Sequence, residues 1–178
     1  LVDKEGPDAG LSVGPGEFNK LVAAAGGRDN AFTSRDYTAY FQQVPHEKLA
    51  EMMRLEADRM RHLNVDPKEF AQEIKVVMEE RRMRTDDNPQ SKLFEQMNAV
   101  AFQAHPYRRP IIGWMNDLET MTATDAKAWY DTWYVPNNAF LVIVGLAQAR
   151  IVVALELDGD RQARVLGLVE QLLGGALR

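Results

Sequence analysis

Apolar positions along the chain follow two periods. Leu49, Met52, Met53, Ala57, Met60 and Leu63 recur every three or four residues, which predicts a helix from Pro45 through Leu63 with that stripe in the core. Methionine suits such a stripe because its unbranched side chain fills irregular gaps. Phe70, Ile74 and Val77 repeat the spacing in a second helix, expected from Asp66-Pro67 to about Arg84. The start is marked by an aspartate cap followed by proline at the first helical position. Asn88-Pro89 opens a third helix, to about Gln103, and Thr122 or Thr124 caps another that ends near Tyr134. Glu17 to Ala25 is a short helix stopped by Gly26-Gly27, and Arg161 to Leu173 reads as amphipathic.

Strand character lies between these stretches. Asn30 to Thr33 and Tyr37 to Val44 flank a polar Ser34-Arg35-Asp36 turn, and the second is rich in aromatic and β-branched residues. Ala139 to Val144 is an unbroken apolar run and reads as a buried strand; Arg150 to Leu157 reads as a further strand, followed by a turn at Asp158 to Asp160. Leu1 to Gly16 has no period and reads mostly as loop, and His105 to Pro110 as a rigid loop. Together these elements predict an α+β fold: a mixed, mainly antiparallel sheet with helices packed on one face.

Composition narrows the function. The chain has 178 residues, 46% hydrophobic and 26% charged, the make-up of a globular domain with a real core. A net charge of −5 argues against a nucleic-acid partner, which needs a basic face. No cysteine is present, so disulfides, thiolate ligands and cysteine nucleophiles are excluded. No apolar run reaches the roughly 20 residues of a membrane span. The chain opens at Leu1 without Met or a signal-like segment, as expected of a processed product or part of something longer.

The candidate chemistry lies on the second long helix. Glu73 and Glu80 are seven residues apart, a rotation of about 700°, so both carboxylates lie within roughly 20° of each other beside the apolar stripe. A carboxylate there can serve as the third protein ligand of a catalytic zinc, beside two histidines. The same residues also read as ordinary surface: Glu80 and Arg84 stand at i,i+4, and Glu79 to Arg84 has the make-up of a solvated helix end.

Several stretches together carry a resemblance. They are Gly16 to Leu21, Ala25 to Tyr40, Glu73 to Arg82, Tyr107 to Gly113, Trp133-Tyr134, and Pro136-Asn137-Asn138-Ala139 with the strand into Gly145. In order and spacing they resemble the insulinase/pitrilysin (M16) zinc peptidases, bacterial members above all, over about Gly14 to Gly145. The resemblance implies half of the M16 metallopeptidase fold, with residues 1–178 as one domain, incomplete at its start, and residues 146–178 as a C-terminal extension. It implies zinc held by the two histidines of an HxxEH motif and a distant glutamate, with the motif glutamate as general base. Glu80 matches the distant ligand and Glu73 a supporting carboxylate. Asn30, Ala31 and Phe32 match the edge strand to which a peptide substrate adds.

The motif itself is absent. His46, His62 and His105 show no such spacing. On the family's spacing Asp3 would stand at the general base and Lys4 at the second histidine, and a protonated lysine does not coordinate zinc. The chain as it stands is therefore read as part of an M16-like zinc metalloendopeptidase, inactive alone and not itself holding zinc. The alternative is a non-catalytic structural or partner subunit. The implied partners are a peptide or unfolded polypeptide and a homologous second half. The implied compartment is bacterial periplasm or cytoplasm, without a choice between them.

Overall fold

The computed structural model describes residues 13, 14 and 16–145, and the backbone of 148–156. The first helix, α1, spans Glu17–Ala24, and its chain reverses at Gly26, whose φ of 76° suits a residue without Cβ. Two antiparallel strands follow, β1 (Arg28–Thr33) and β2 (Tyr37–Pro45). Helices α2 (Leu49–His62), α3 (Pro67–Arg81), α4 (Pro89–Ala101), α5 (Met115–Thr120) and α6 (Ala123–Trp133) precede strands β3 (Ala139–Val144) and β4 (Gln148–Glu156). The sheet runs β1-β2-β4-β3 and every neighbouring pair is antiparallel. The expected α+β architecture is therefore present. The Asp158 turn, the Arg161–Leu173 helix, and Asp3 and Lys4 lie outside the described residues.

Local capping sets most helix starts. Asp66 accepts from the Lys68 and Glu69 amides, Asn88 from those of Gln90 and Ser91. Thr122 and Asp125 form a reciprocal capping box, and Thr122 draws the Asp125 carboxyl below its usual range.

Alternation along β2 decides the core. Thr38, Tyr40, Gln42 and Val44 face the helices and are all buried. Tyr40 packs with Phe70, Ile74 and Val77 of α3, Leu118 of α5 and Trp129 and Tyr130 of α6. Val44 packs separately with Phe18 and Val22 of α1 and Met52 and Leu55 of α2. Val22, Met52 and Val77 have no exposed surface, and each such side chain stabilises the fold by about 1.5–3 kcal/mol. On the other face Phe32 meets Tyr37 and Phe41 at 5.6 and 6.3 Å, and it pairs across the ladder with buried Ala39.

Three expectations are corrected. In α2 the inward residues are Met52, Leu55 and Glu56, whereas Met53 and Ala57 face outward. Glu56 takes a core position because Gln42 and Arg59 donate to it there. Second, α3 ends at Arg81 and continues as a wider π-type turn over Arg82–Asp86, closed by the Asp87 amide on the Arg82 carbonyl at 2.8 Å. Third, β3 is not buried: Phe140 and Val144 are 62% and 63% exposed. It is the end strand of the described sheet, and the two buried clusters that join helices to the sheet centre on β2, two strands away. No described helix is long and apolar enough to cross a membrane.

Gly27 lets α1 lie close on β2. A Cβ there would sit 2.4 Å from Val44 Cγ1 and 2.9 Å from the Gln43 carbonyl oxygen. Gly27→Ala is expected to destabilise the chain by about 1–3 kcal/mol, read from the denaturant midpoint.

Candidate functional site

Glu73 and Glu80 both lie on α3, half-buried beside Ile74 and Val77, as the helical spacing predicts. Glu80 pairs with Arg84 Nη1 at 2.7 Å; its side chain is 21% exposed and that of Arg84 76%. The surface ion pair weighed from the sequence is thus formed. A pair with one partner so exposed is worth about 0–1 kcal/mol, too little to commit the carboxylate to it.

The next residue is the one sequence reasoning missed. Arg81 was grouped with the solvated helix end, yet it is 4% exposed. It donates to both carboxylate oxygens of Glu95 on α4, each at 2.8 Å, and to the Gly113 carbonyl at 2.8 Å. Asp86 lies 3.8 Å away and the Trp114 ring 5.9 Å. The Glu95 hydrogen bonds raise Arg81 further above its usual range, against the pull of burial. The signal was present: Phe70, Ile74, Val77 and Arg81 continue one helical stripe, so the cation occupies a core position.

Asn30, Ala31 and Phe32 lie on β1, an end strand of the described sheet. The Ala31 amide donates to the Asn30 side-chain oxygen at 2.8 Å. That amide points away from β2, since amides in an antiparallel strand alternate between the partner and the free side. Ala31 thus presents its backbone to the open edge, and the Asn30 side chain covers the donor. Asp29, next in the strand, accepts from Asn19 at 3.2 Å, and burial raises its carboxyl above the usual value despite that bond.

The three histidines lie apart from these residues' chemistry. His46 pairs with Glu47 at 3.1 Å and His62 with Asp58 at 2.9 Å. His105 accepts from the Tyr107 amide at 3.2 Å and meets its ring at 4.5 Å. Among the described residues no three His, Cys, Asp or Glu side chains come together as a metal site. The described residues therefore do not by themselves fit a zinc ion; they offer one carboxylate, Glu80, and its neighbour Glu73.

Arg81→Met is expected to cost about 3 kcal/mol, because Glu95, itself 12% exposed, keeps its charge without its cation. Urea unfolding measures the loss, and Arg81→Met combined with Glu95→Leu should recover much of it.

Comparison with known proteins gives these positions a context. The pattern of the insulinase family, peptidase family M16, matches residues 13–114. Zinc protease PqqE of Helicobacter pylori is 40% identical over 130 residues, 73% of this chain and 29% of that protein. An uncharacterized zinc protease of Mycobacterium leprae is 32% identical over 139 residues, 78% of this chain and 31% of its own length. Cytochrome b-c1 complex subunit 1 of Caenorhabditis elegans, a mitochondrial protein, is 28% identical over 122 residues, 68% of this chain and 26% of that subunit. The chain thus spans about three tenths of the curated relatives it matches. With α3, β1 and the loop to Gly113 all inside the matched region, this chain belongs to the insulinase family, M16.

Proposed function

We propose that this chain is the carboxylate-bearing and peptide-binding part of a longer M16 zinc metalloendopeptidase. In this reading Glu80 is a zinc ligand, Glu73 supports it, and Asn30-Ala31-Phe32 is the edge to which an extended peptide adds. The observation that carries the reading is the outward Ala31 amide on an end strand of the described sheet. A peptide that pairs there exchanges the Asn30 side-chain bond for a main-chain ladder bond, a low-cost swap of one acceptor for another. Its side chains then alternate between the face of Phe32 and the face of Ala31, whose neighbours set preference. Bound zinc would supply a Lewis acid and an activated water. With one carboxylate offered among the described residues, this chain holds and orients substrate, and no hydrolytic step is assigned to it.

The second reading is a non-catalytic partner subunit of an M16 pair. It is favoured by the relative named as a cytochrome b-c1 complex subunit, which matches 68% of the chain under a name that is not a protease.

Metal analysis and peptide binding separate the two. The purified chain is expected to carry clearly less than one zinc, and stoichiometric zinc with chelator-sensitive hydrolysis would overturn its inactivity alone. In the longer protein Glu80→Gln is expected to lose zinc with the fold intact; unchanged zinc content in that variant removes Glu80 from the site. Ala31→Pro deletes the edge donor but no ladder bond to β2, so it should keep the circular dichroism spectrum and lose binding of extended peptides. Retained binding would rule out addition at this edge.

A further inference from the structure

The turn between β1 and β2 is held from a distance. Arg35 Nη1 donates to the Tyr107 carbonyl at 2.6 Å, across 72 residues of sequence, and its guanidinium lies 4.9 Å from the centre of the Tyr107 ring. The Tyr107 hydroxyl donates to Asp36 Oδ2 at 2.7 Å. Two adjacent turn residues therefore grip one tyrosine, by its carbonyl, its ring and its hydroxyl. That hydrogen bond is also the main cause that raises the Tyr107 phenol above its usual range, so it stays protonated as the donor.

The loop that carries Tyr107 is anchored at its other end to α3. Its Gly113 carbonyl is the acceptor of buried Arg81, the residue after Glu80. Between the two anchors the loop is stiff. Pro106 and Pro110 fix two φ angles. The Arg108 amide returns to His105 at 3.2 Å, that of Arg109 to Pro106 at 3.0 Å and that of Gly113 to Pro110 at 3.0 Å. Gly113 closes the loop with φ 89°, a conformation open to glycine.

We infer that Tyr107 is a positioning residue: through the 105–113 loop it sets the open β1 edge at a fixed distance and angle from the Glu80 end of α3. β1 has one described ladder, to β2, so contacts outside the hairpin add to its order, and an edge that is not already ordered must be ordered each time a peptide pairs with it. The Arg35 and Asp36 grip on Tyr107 orders the turn end of β1 beforehand. It also makes the strand that receives a peptide and the helix that carries the carboxylate parts of one rigid frame. The inference rests on the β1 edge being the peptide site.

The test uses the full 178-residue chain with two readouts: amide hydrogen exchange, and anisotropy of a short fluorescein-labelled peptide of mixed threonine and valine. Tyr107→Phe keeps the ring over Arg35 and removes the hydroxyl; Asp36→Ala removes its acceptor; Asp36→Asn restores an acceptor oxygen. Tyr107→Phe and Asp36→Ala are expected to speed exchange in residues 28–33 and weaken peptide binding, each by roughly three- to tenfold, the range of one hydrogen bond. Exchange in α6 should stay unchanged, and Asp36→Asn should restore most of both effects. Faster exchange in β1 and α6 alike would mean a merely structural tyrosine and overturn the inference. Parent binding with equal binding by all variants would overturn it too, and leave the β1 edge reading standing. If the parent does not bind the peptide, the edge reading fails. Exchange in residues 28–33 then decides alone whether the grip orders the strand, and unchanged rates overturn that as well.

Discussion

A single buried cation, Arg81, ties together the end of α3, α4 and the 105–113 loop. Arg81 sits on the apolar stripe of α3, where a charge without partners would cost several kcal/mol. It is tolerated because Glu95 meets it with two parallel hydrogen bonds and the Gly113 carbonyl takes a third. The consequence reaches α4, none of whose residues is buried. Leu93, Phe94, Met97 and Val100 of α4 are exposed, and Glu95 on its polar side ties the helix to Arg81. The π-type turn after α3 brings Asp86 back within 3.8 Å of the same guanidinium. Helix end, turn, α4 and loop thus converge on one side chain.

A second cation does comparable work where the two apolar clusters meet. The Arg59 guanidinium lies 4.0 Å from the Tyr40 ring of one cluster and 5.4 Å from the Phe18 ring of the other. Burial, the largest single influence, works against its charge, and Glu56 together with Tyr40 and Tyr130 more than offsets it, leaving Arg59 above its usual range. Glu56 in turn accepts from Gln42 of β2. Tyr130 donates to the Arg59 and Met60 carbonyls at the end of α2, and its hydroxyl is pushed well up by burial. The helix layer is therefore fastened to the sheet by a polar seam as well as by apolar packing. Such a seam favours one arrangement because a shifted packing would leave buried polar groups unpaired.

These two nodes explain why the candidate site is spread over distant sequence. Glu80 precedes Arg81 on a rigid helix. The β1 edge is reached from there through the Gly113 carbonyl, the proline-stiffened loop and Tyr107. The arrangement suits binding of an extended chain: a fixed strand edge, a fixed carboxylate, and a stiff connection between them. The proposed site residues all lie inside the region, residues 13–114, that matches family M16.

Much of this was legible before any coordinates. Asp66-Pro67, Asn88-Pro89, Thr122 and Gly26-Gly27 mark helix ends because caps and positive φ angles are settled within a few residues of chain. The hairpin and the pairing of Glu73 with Glu80 on one helix face follow from periods of two and 3.6. The family pattern, too, is written in local stretches. Burial is a different matter, since it depends on which surfaces the topology brings together. Val142 and Ile143 read as core by composition, yet β3 stands at the end of the described sheet and they stay exposed. Arg81 read as surface by charge and Glu56 had no place in the expected apolar stripe, yet each found partners inside. The grip of Arg35 and Asp36 on Tyr107 joins residues more than 70 positions apart and has no local signature. Sequence alone determined most of the described elements, their caps and the family, and it singled out Glu73 and Glu80 as candidates. Tertiary structure decided which charges are buried and how the strand edge is tied to the helix, because desolvation and long-range hydrogen bonds exist only once distant segments meet.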